Sequence, residues 1–254
     1  MARSGRAAAV VEGAVTAIAG GALAALCGTL LDLTVPFAVL GALNGAIGGW
    51  RGVYHWRSLS GPVAFVLDST WGLPMTLGAL VAHAVAATQR RRGGYVMELS
   101  RRRNRHVYVS GLRVRRGFLM TVGNVINGAG ERVRTSDRRR RLVTDHEDVH
   151  VWQARWFGPL FPPLYLGWTA VGSAVGAVLW LLRGRSRKTP LGKFVETCSY
   201  YMNPFEWWAY SRDGFWPPTN KVEGVGWSMP VVQAFSATTR SAGRGRGGTS
   251  ATPR

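Results

Sequence analysis

The string His146-Glu147-Asp148-Val149-His150 decides how this chain is interpreted. Residues four apart on a helix share one face, so His146 and His150 can offer two imidazole nitrogens to one metal ion. Glu147 lies one residue on, about 100° around the helix, where its carboxylate can reach a metal-bound water without acting as a ligand. Two histidine ligands beside a carboxylate base suit a catalytic zinc site. The pattern predicts a helix over 142–156 that carries this site.

Long apolar segments surround the string. Four of them are almost free of charge: 7–31 (with Glu12), 33–50, 61–89 (with Asp68) and 158–182. About 20 apolar residues in a helix span a bilayer. The sequence therefore predicts a mainly α protein with multi-pass membrane helices, a small cytoplasmic β-containing region and a zincin-like helix.

The charge is strongly basic, with 32 Lys and Arg against 13 Asp and Glu and a net charge of +19. The basic residues lie beside the apolar segments, which is typical of a cytoplasmic membrane face. We expect them to attract anionic lipid headgroups, at about 1 kcal/mol per basic residue near the surface. No nucleic-acid motif is present, so membrane lipids and not nucleic acid are the expected partners. The clusters are Arg3 and Arg6, Arg51 and Arg57, Arg90–Arg92, Arg101–Arg105, Arg138–Arg141 and Arg183–Lys188.

Small residues recur every fourth position in the first two apolar segments: Gly13, Ala17, Gly21 and Ala25, then Gly41, Gly45 and Gly49. Small residues at this spacing let two helix backbones approach closely in lipid. We expect a glycine-zipper-like helical hairpin that turns around Asp32, Leu33 and Pro36.

The third apolar segment, 61–89, is interrupted by Asp68 and by Gly72-Leu73-Pro74. Pro74 disfavours helical geometry at Leu73. Both flanks, 51–57 and 90–92, are basic, which favours a broken or re-entrant hairpin over one straight crossing. Asp68 is open to two interpretations, a functional intramembrane carboxylate or a turn cap.

The remaining segments change character. Alternating apolar residues predict short strands at 95–99, 106–110, 112–116 and 118–122, and Asn127-Gly128 predicts a turn before a charged loop over 129–141. The last residues, 236–254, are Ser, Thr, Gly and Arg without apolar periodicity, which predicts disorder. We therefore expect a membrane region over 1–92, a zincin-like region over 93–235 and a disordered basic tail over 236–254.

A zinc site needs a third protein ligand. His55, His83 and His106 lie in settings that suit the role less well than the string Asn203-Pro204-Phe205-Glu206-Trp207-Trp208-Ala209. Together with the HExxH string, this second string resembles the gluzincin metallopeptidases, whose HExxH helix is followed by a helix with an N-x-x-E-x-x-A pattern.

That resemblance implies zinc as cofactor, His146, His150 and Glu206 as its ligands, and Glu147 as the general base of peptide hydrolysis. Gln153 adds a resemblance to the HExxHxxQ subset. Gluzincins commonly stabilise the oxyanion with a tyrosine or histidine, for which Tyr201 and Tyr210 are both candidates.

Two alternatives stand beside this interpretation. Thr144 with Glu147, and Asn203 with Glu206, also fit capping boxes, in which each glutamate would serve only to start a helix.

If 159–182 crossed the bilayer once, His150 and Glu206 would finish about 30 Å apart. We therefore expect a re-entrant or protein-buried course for 158–182.

The expected function is that of a membrane-associated zinc peptidase. The alternative from another class is a non-catalytic membrane scaffold whose basic cytoplasmic face binds anionic lipid or a protein partner.

Overall fold

The computed structural model describes residues 3–89, 94–113, 117–184, 188–213, 222 and 224–226. The chain is mainly helical, as predicted, and divides into two compact units, 1–164 and 165–254. The predicted domain limits at 92 and 235 stay a prediction. The basic cluster Arg90–Arg92, part of the cluster Arg183–Lys188 and the tail 236–254 lie outside the described residues.

The first unit opens with the predicted helical hairpin, formed by α1 (Arg3–Thr29) and α2 (Thr34–Trp50). A Cβ atom added to Gly41 would lie 2.3 Å from the Gly20 carbonyl oxygen of α1. A Cβ on Gly45 would lie 2.1 Å from the Thr16 carbonyl oxygen. These distances leave no room for a side chain, so the glycines of α2 are what lets the two backbones pack together.

The break in the third apolar segment is confirmed. Helices α3 (Ser60–Ser69) and α4 (Leu73–Thr88) meet at a 91° bend. The Gly72 amide donates to the Leu67 carbonyl oxygen at 2.8 Å, and Pro74 lies in the first turn of α4, where proline is tolerated. The turn therefore closes one helix and starts the next in a new direction.

A short helical turn, α5 (Met97–Ser100), precedes a three-stranded sheet. The strands are β1 (His106–Val107), β2 (Met120–Val122) and β3 (Val125–Asn127), and β3 lies in the middle. It pairs in parallel with β1 and antiparallel with β2. The β2–β3 turn is Gly123-Asn124, where Gly123 has φ +55°. A positive φ is adopted at little cost by glycine, so this residue fixes the hairpin.

The strand predictions are only partly confirmed. The strand at 118–122 is confirmed over Met120–Val122, and the strand at 106–110 over its first two residues. The strand at 95–99 is wrong, because Met97–Ser100 is helical and Tyr95 forms only an isolated bridge with Tyr108. Leu112 and Arg113 are not in a strand, and 114–116 lie outside the described residues. Strand β3 was not predicted, because its three residues are too few to show an alternating pattern.

A long helical stretch follows the sheet. It comprises α6 (Asp137–Arg141), a π-helical segment (Leu142–Glu147) and α7 (Asp148–Phe157). The predicted helix over 142–156 is confirmed and begins earlier, at Asp137. The predicted loop over 129–141 is therefore partly wrong, since it contains α6 and a 3₁₀ turn at Glu131–Arg134.

The sheet lies between α4 and α7. Val125 of β3 packs with Ala79 and Ala82 of α4, whereas its neighbour Ile126 packs in a cluster with Val151 of α7. Successive strand residues point to opposite faces, so β3 contributes to both clusters. Burial on both faces places α7 at a defined distance from the sheet.

A buried ion pair joins α3 to α7. The Arg155 Nε and Nη2 atoms donate to the Asp68 Oδ1 and Oδ2 atoms at 2.8 and 2.9 Å. Asn124 donates to Asp68 Oδ2 at 3.1 Å, and the Tyr54 hydroxyl donates to the same oxygen at 3.3 Å. The turn-cap interpretation of Asp68 is therefore wrong, because its carboxylate is occupied by side chains from distant segments.

The second unit contains most of α8 (Phe161–Leu179), which continues as a π-helical segment, Trp180–Gly184. The chain then returns through α9 (Leu191–Glu196) and a second π-helical segment, Thr197–Tyr201, to α10 (Pro204–Asp213). A Cβ on Gly172 would lie 2.4 Å from the Cys198 carbonyl oxygen, and one on Gly176 would lie 2.6 Å from that of Phe194. The return arm therefore packs antiparallel against α8.

Two helical stretches are long and apolar enough to cross a membrane, Gly5–Thr29 and Asp137–Gly184, and the bent pair α3–α4 makes a third if it is one span. Within α8, Gly172 and Gly176 are the buried residues. The large apolar side chains of 158–182 are exposed, so the expectation of a protein-buried course is wrong, whereas the re-entrant alternative stays a prediction.

The glycine contacts of the first hairpin predict a large effect from one methyl group. Gly45→Ala should lower the unfolding free energy by about 1–3 kcal/mol, because the methyl meets backbone rather than a movable side chain. Thermal unfolding of the detergent-solubilised chain measures the effect. Gly167→Ala is the matched control, since nothing lies within 4 Å of a Cβ there. Equal stability of the two variants would contradict close packing of the hairpin.

The Asp68–Arg155 pair predicts a larger effect. Asp68→Asn should destabilise the protein by about 3–5 kcal/mol, because it leaves a buried guanidinium without its counter-charge. Adding Arg155→Met should recover much of the loss, since no charge then remains buried. The same unfolding assay measures both variants. A double variant no more stable than Asp68→Asn alone would show that the charge is not the cause.

Candidate metal centre

The HExxH string lies where the π-helical segment passes into α7. The helix is capped upstream by Ser136, whose hydroxyl accepts from the Arg139 amide at 3.3 Å. Thr144 is inside the helix, and its hydroxyl donates to Asp145 at 2.9 Å. The capping-box interpretation of Glu147 is therefore wrong, because no helix starts at Thr144.

His146 and His150 lie on one face, as the spacing predicts. Their ring centroids are 5.1 Å apart, and only 3% and 8% of each residue is exposed. Two imidazoles that bind one zinc at about 2.0–2.1 Å with a tetrahedral angle between them have ring centroids roughly 5 Å apart. The two rings are thus spaced as a pair of zinc ligands.

Gln153 fixes the protonation of the second ring. Its Oε1 atom lies 2.8 Å from the Nδ1 atom of His150, and Gln153 is fully buried. An amide oxygen only accepts, so Nδ1 carries the proton and Nε2 keeps its lone pair. Such a partner orients a metal-ligating histidine. The residue that carries the HExxHxxQ resemblance therefore has a structural role at this site.

Glu147 is 7% exposed and faces the sheet. The Thr121 hydroxyl of β2 donates to Glu147 Oε2 at 2.5 Å. The strand containing Thr121 was predicted, but its contact with the site was not. No sequence signal marks it, because 26 residues separate the two partners.

Glu206 lies in the first turn of α10 and is 3% exposed. The Asn203 side chain caps this helix by accepting from the Phe205 amide at 3.0 Å, which confirms a helix start here. Glu206 does not complete a capping box, since the Asn203 amide donates to the Tyr200 carbonyl oxygen instead. Its Oε1 atom accepts from the Tyr165 hydroxyl at 2.7 Å.

The antiparallel return arm explains how Glu206 comes back to the start of α8. Tyr165, which it contacts, lies in the first turns of that helix, fifteen residues after His150 in the chain. The expected separation of about 30 Å assumed that the chain ends on the far side of 159–182. The observed hairpin removes that assumption.

Among the described residues, His146, His150 and Glu206 form a group that could hold a metal ion. Each offers one ligand atom, and these atoms all lie within 4.8 Å of one another. All three residues are buried. These are the three residues that the gluzincin resemblance implies as ligands.

The other histidines are engaged elsewhere. His55 Nδ1 lies 2.9 Å from the Ser58 hydroxyl. His83 Nδ1 lies 2.8 Å from the Tyr108 hydroxyl, and His106 Nδ1 lies 3.0 Å from that of Tyr95. Burial, assisted by the nearby His83 and Arg51, lowers the pKa of His106 well below its usual value.

The two tyrosines considered for the oxyanion, Tyr201 and Tyr210, are both buried, with ring centroids 6.2 Å apart. Burial and the nearby Glu206 raise the pKa of Tyr210 above its usual value, so its phenol stays protonated. Neither tyrosine is singled out by these contacts.

Comparison with family models, curated proteins and solved structures gave no match. The gluzincin resemblance therefore depends on the two sequence motifs and on the grouping of their residues.

The His150–Gln153 contact predicts a specific loss of metal affinity. Gln153→Ala should weaken zinc binding about 10–100-fold, because the His150 ring loses the partner that orients it. Gln153→Glu should retain binding, since a carboxylate also accepts from Nδ1. Competition for zinc with a chelating dye measures both variants. Unchanged affinity in Gln153→Ala would show that this contact does not serve the metal.

Proposed function

We propose that this chain is a membrane-associated, zinc-dependent peptidase-like protein. In this proposal His146, His150 and Glu206 hold the zinc ion and Glu147 is the general base. The grouping of the three buried donors is the observation that carries it.

The donor chemistry fits zinc. Two imidazole nitrogens and one carboxylate are the ligands of several catalytic zinc sites, and the fourth position stays open. Calcium and magnesium prefer oxygen ligands alone. The outer contacts fit as well, because Gln153 holds His150 and Tyr165 holds Glu206.

Glu147 is suited to proton transfer. When bound, zinc acidifies water and polarises a carbonyl group. Glu147 would take the proton of the attacking water and return it to the leaving amine. The Thr121 hydroxyl donates to Oε2 of this carboxylate, which leaves the other oxygen to act as the base.

The substrate class follows from the edge of the sheet. Within the described part of the sheet, β2 is an edge strand, and its Thr121 contacts Glu147. An edge strand offers unpaired backbone groups to an extended peptide. A peptide that adds to β2 would lie beside the general base.

The membrane part of the proposal is multi-pass, with the basic loops and the metal site on the cytoplasmic side. The two helices long and apolar enough to cross a membrane support it. The cytoplasmic orientation of the loops and the site is inferred from the arginine clusters beside the apolar segments.

Zinc content tests the ligand set first. Elemental analysis of the detergent-purified chain should give one zinc per wild-type chain, none in His150→Ala or Glu206→Ala, and one in the control His55→Ala. Loss only in His150→Ala would assign the third ligand elsewhere. No zinc in the wild type would exclude the peptidase and leave the lipid-binding scaffold as the better proposal.

Catalysis is tested separately with Glu147→Gln, which removes the base and keeps the ligands. The variant should retain one zinc and lose at least about 100-fold in hydrolysis of labelled casein, the range expected for general-base catalysis. A zinc-loaded wild type without hydrolysis would support a metal-binding scaffold. An active Glu147→Gln would show that Glu147 is not the base.

A further inference from the structure

A polar cavity of about 550 Å³ lies in the first unit, on a different face of the HExxH helix from the two histidines. Its walls are Glu98, Leu99 and residues 102–105, Arg140 of α6, and the face of the helix that carries Asp145, Asp148 and Trp152. This volume is within the range of small-ligand sites. The cavity is lined by arginines from two clusters, 101–105 and 138–141, which are far apart in the sequence.

The wall formed by 102–104 is held in an unusual conformation. Arg102 and Asn104 have backbone φ values of 56° and 55°, which residues other than glycine seldom adopt. Asn104 is tied down on both sides, since its Oδ1 atom accepts from the His55 amide at 2.8 Å and its Nδ2 atom donates to Ser60 at 3.1 Å. Conformations of this kind are concentrated at ligand sites.

Two of the four arginines in the cavity are already neutralised. Arg102 binds both carboxylate oxygens of Glu12, and its Nη2–Oε2 distance is 2.7 Å. Arg105 forms an ion pair with Asp148.

The remaining charges are balanced. Arg103 and Arg140 are exposed and make no side-chain hydrogen bond or ion pair with any described residue, and the same holds for Glu98. Asp145 accepts only a neutral hydroxyl, that of Thr144. The cavity therefore presents two free guanidinium groups and two carboxylates to a ligand, which suits a molecule carrying both signs of charge better than a simple anion.

The position of the cavity indicates a lipid. Glu12, which holds Arg102, directly precedes the charge-free part of α1, residues 13–29, and α1 is long and apolar enough to cross a membrane. The Trp56 Nε1 atom donates to the same carboxylate at 2.7 Å. Tryptophan and arginine at the end of a span mark the headgroup layer. The cavity beside Arg102 thus lies at headgroup depth.

We propose that this cavity binds the headgroup of an aminophospholipid, in which a phosphate neighbours a primary ammonium. Arg103 and Arg140 take the phosphate oxygens, for which guanidinium groups are well suited. Glu98 and Asp145, which line the same cavity, accept from the ammonium. This site is separate from the proposed zinc site and does not depend on it.

Native mass spectrometry of the full detergent-purified chain tests the proposal, with phosphatidylethanolamine, phosphatidylglycerol and phosphatidylcholine added in turn. The wild type should retain phosphatidylethanolamine about tenfold better than the other two. Glycerol lacks the cationic group, and choline has no N–H donors. Glu98→Gln with Asp145→Asn should abolish the preference for ethanolamine over glycerol.

Charge reversal separates the cavity from the general basic surface. Arg103→Glu with Arg140→Glu should lose the retained lipid, whereas Arg101→Glu with Arg132→Glu should keep it. The control makes the same change in net charge at exposed arginines outside the cavity. Equal loss in both double variants, or equal retention in both, would overturn the proposal.

The two sources of the headgroup are distinguished with soluble O-phosphoethanolamine. It should raise the unfolding temperature less than the lipid does, because it lacks the acyl chains that hold the headgroup at this depth. Stabilisation equal to that by the lipid would assign the cavity to a free solute. Preference for phosphatidylglycerol in the wild type would overturn the zwitterionic ligand in favour of a simple anion.

Discussion

A carboxylate and a guanidinium meet inside the first unit, where Asp68 and Arg155 join through two pairs of atoms. Removing two charges from water costs several kcal/mol for each ion, so such a pair persists only with good geometry and further partners. Asn124 and Tyr54 provide them, and Arg155 also donates to the Asn104 carbonyl oxygen at 2.6 Å. The pair and its partners connect the bent apolar segment, the β2–β3 turn and the HExxH helix.

This interaction also bears on the candidate metal centre. Arg155 lies on α7 five residues after His150, so the ion pair fixes how that helix is rotated about its axis. Packing of Ile126 and Val151 sets the distance of the helix from the sheet. Contacts on other faces of the same helix therefore determine how the two imidazole rings are oriented. The proposed aminophospholipid cavity uses yet another face, so both proposed sites depend on the position of α7.

Much of the site could be predicted from short-range patterns. The four-residue spacing of His146 and His150 places them on one face of any helix, and the glycines of α2 predict a close hairpin wherever the partner lies. Glu206 was nominated by the resemblance of 203–209 to the gluzincin pattern, and its role stays a prediction. Contacts between distant segments could not be found in this way. Thr121 and Glu147, or Asp68 and Arg155, meet only because the sheet and the bent helices are already folded. Strand β3 was missed for a related reason, since it is defined by its pairing on both sides.

The π-helical segment at Leu142–Glu147 constrains the length of the chain. A π turn holds about one residue more than an α turn, and one residue corresponds to about 100° of rotation. Deleting a single residue before His146 would let this segment relax to an α-helix, and the four-residue histidine spacing would survive. Everything upstream, including the Ser136 cap and the arginines of α6, would then swing around the axis relative to the imidazoles. The number of residues between the cap and the first histidine is therefore fixed by the architecture, although the motif alone would show no change.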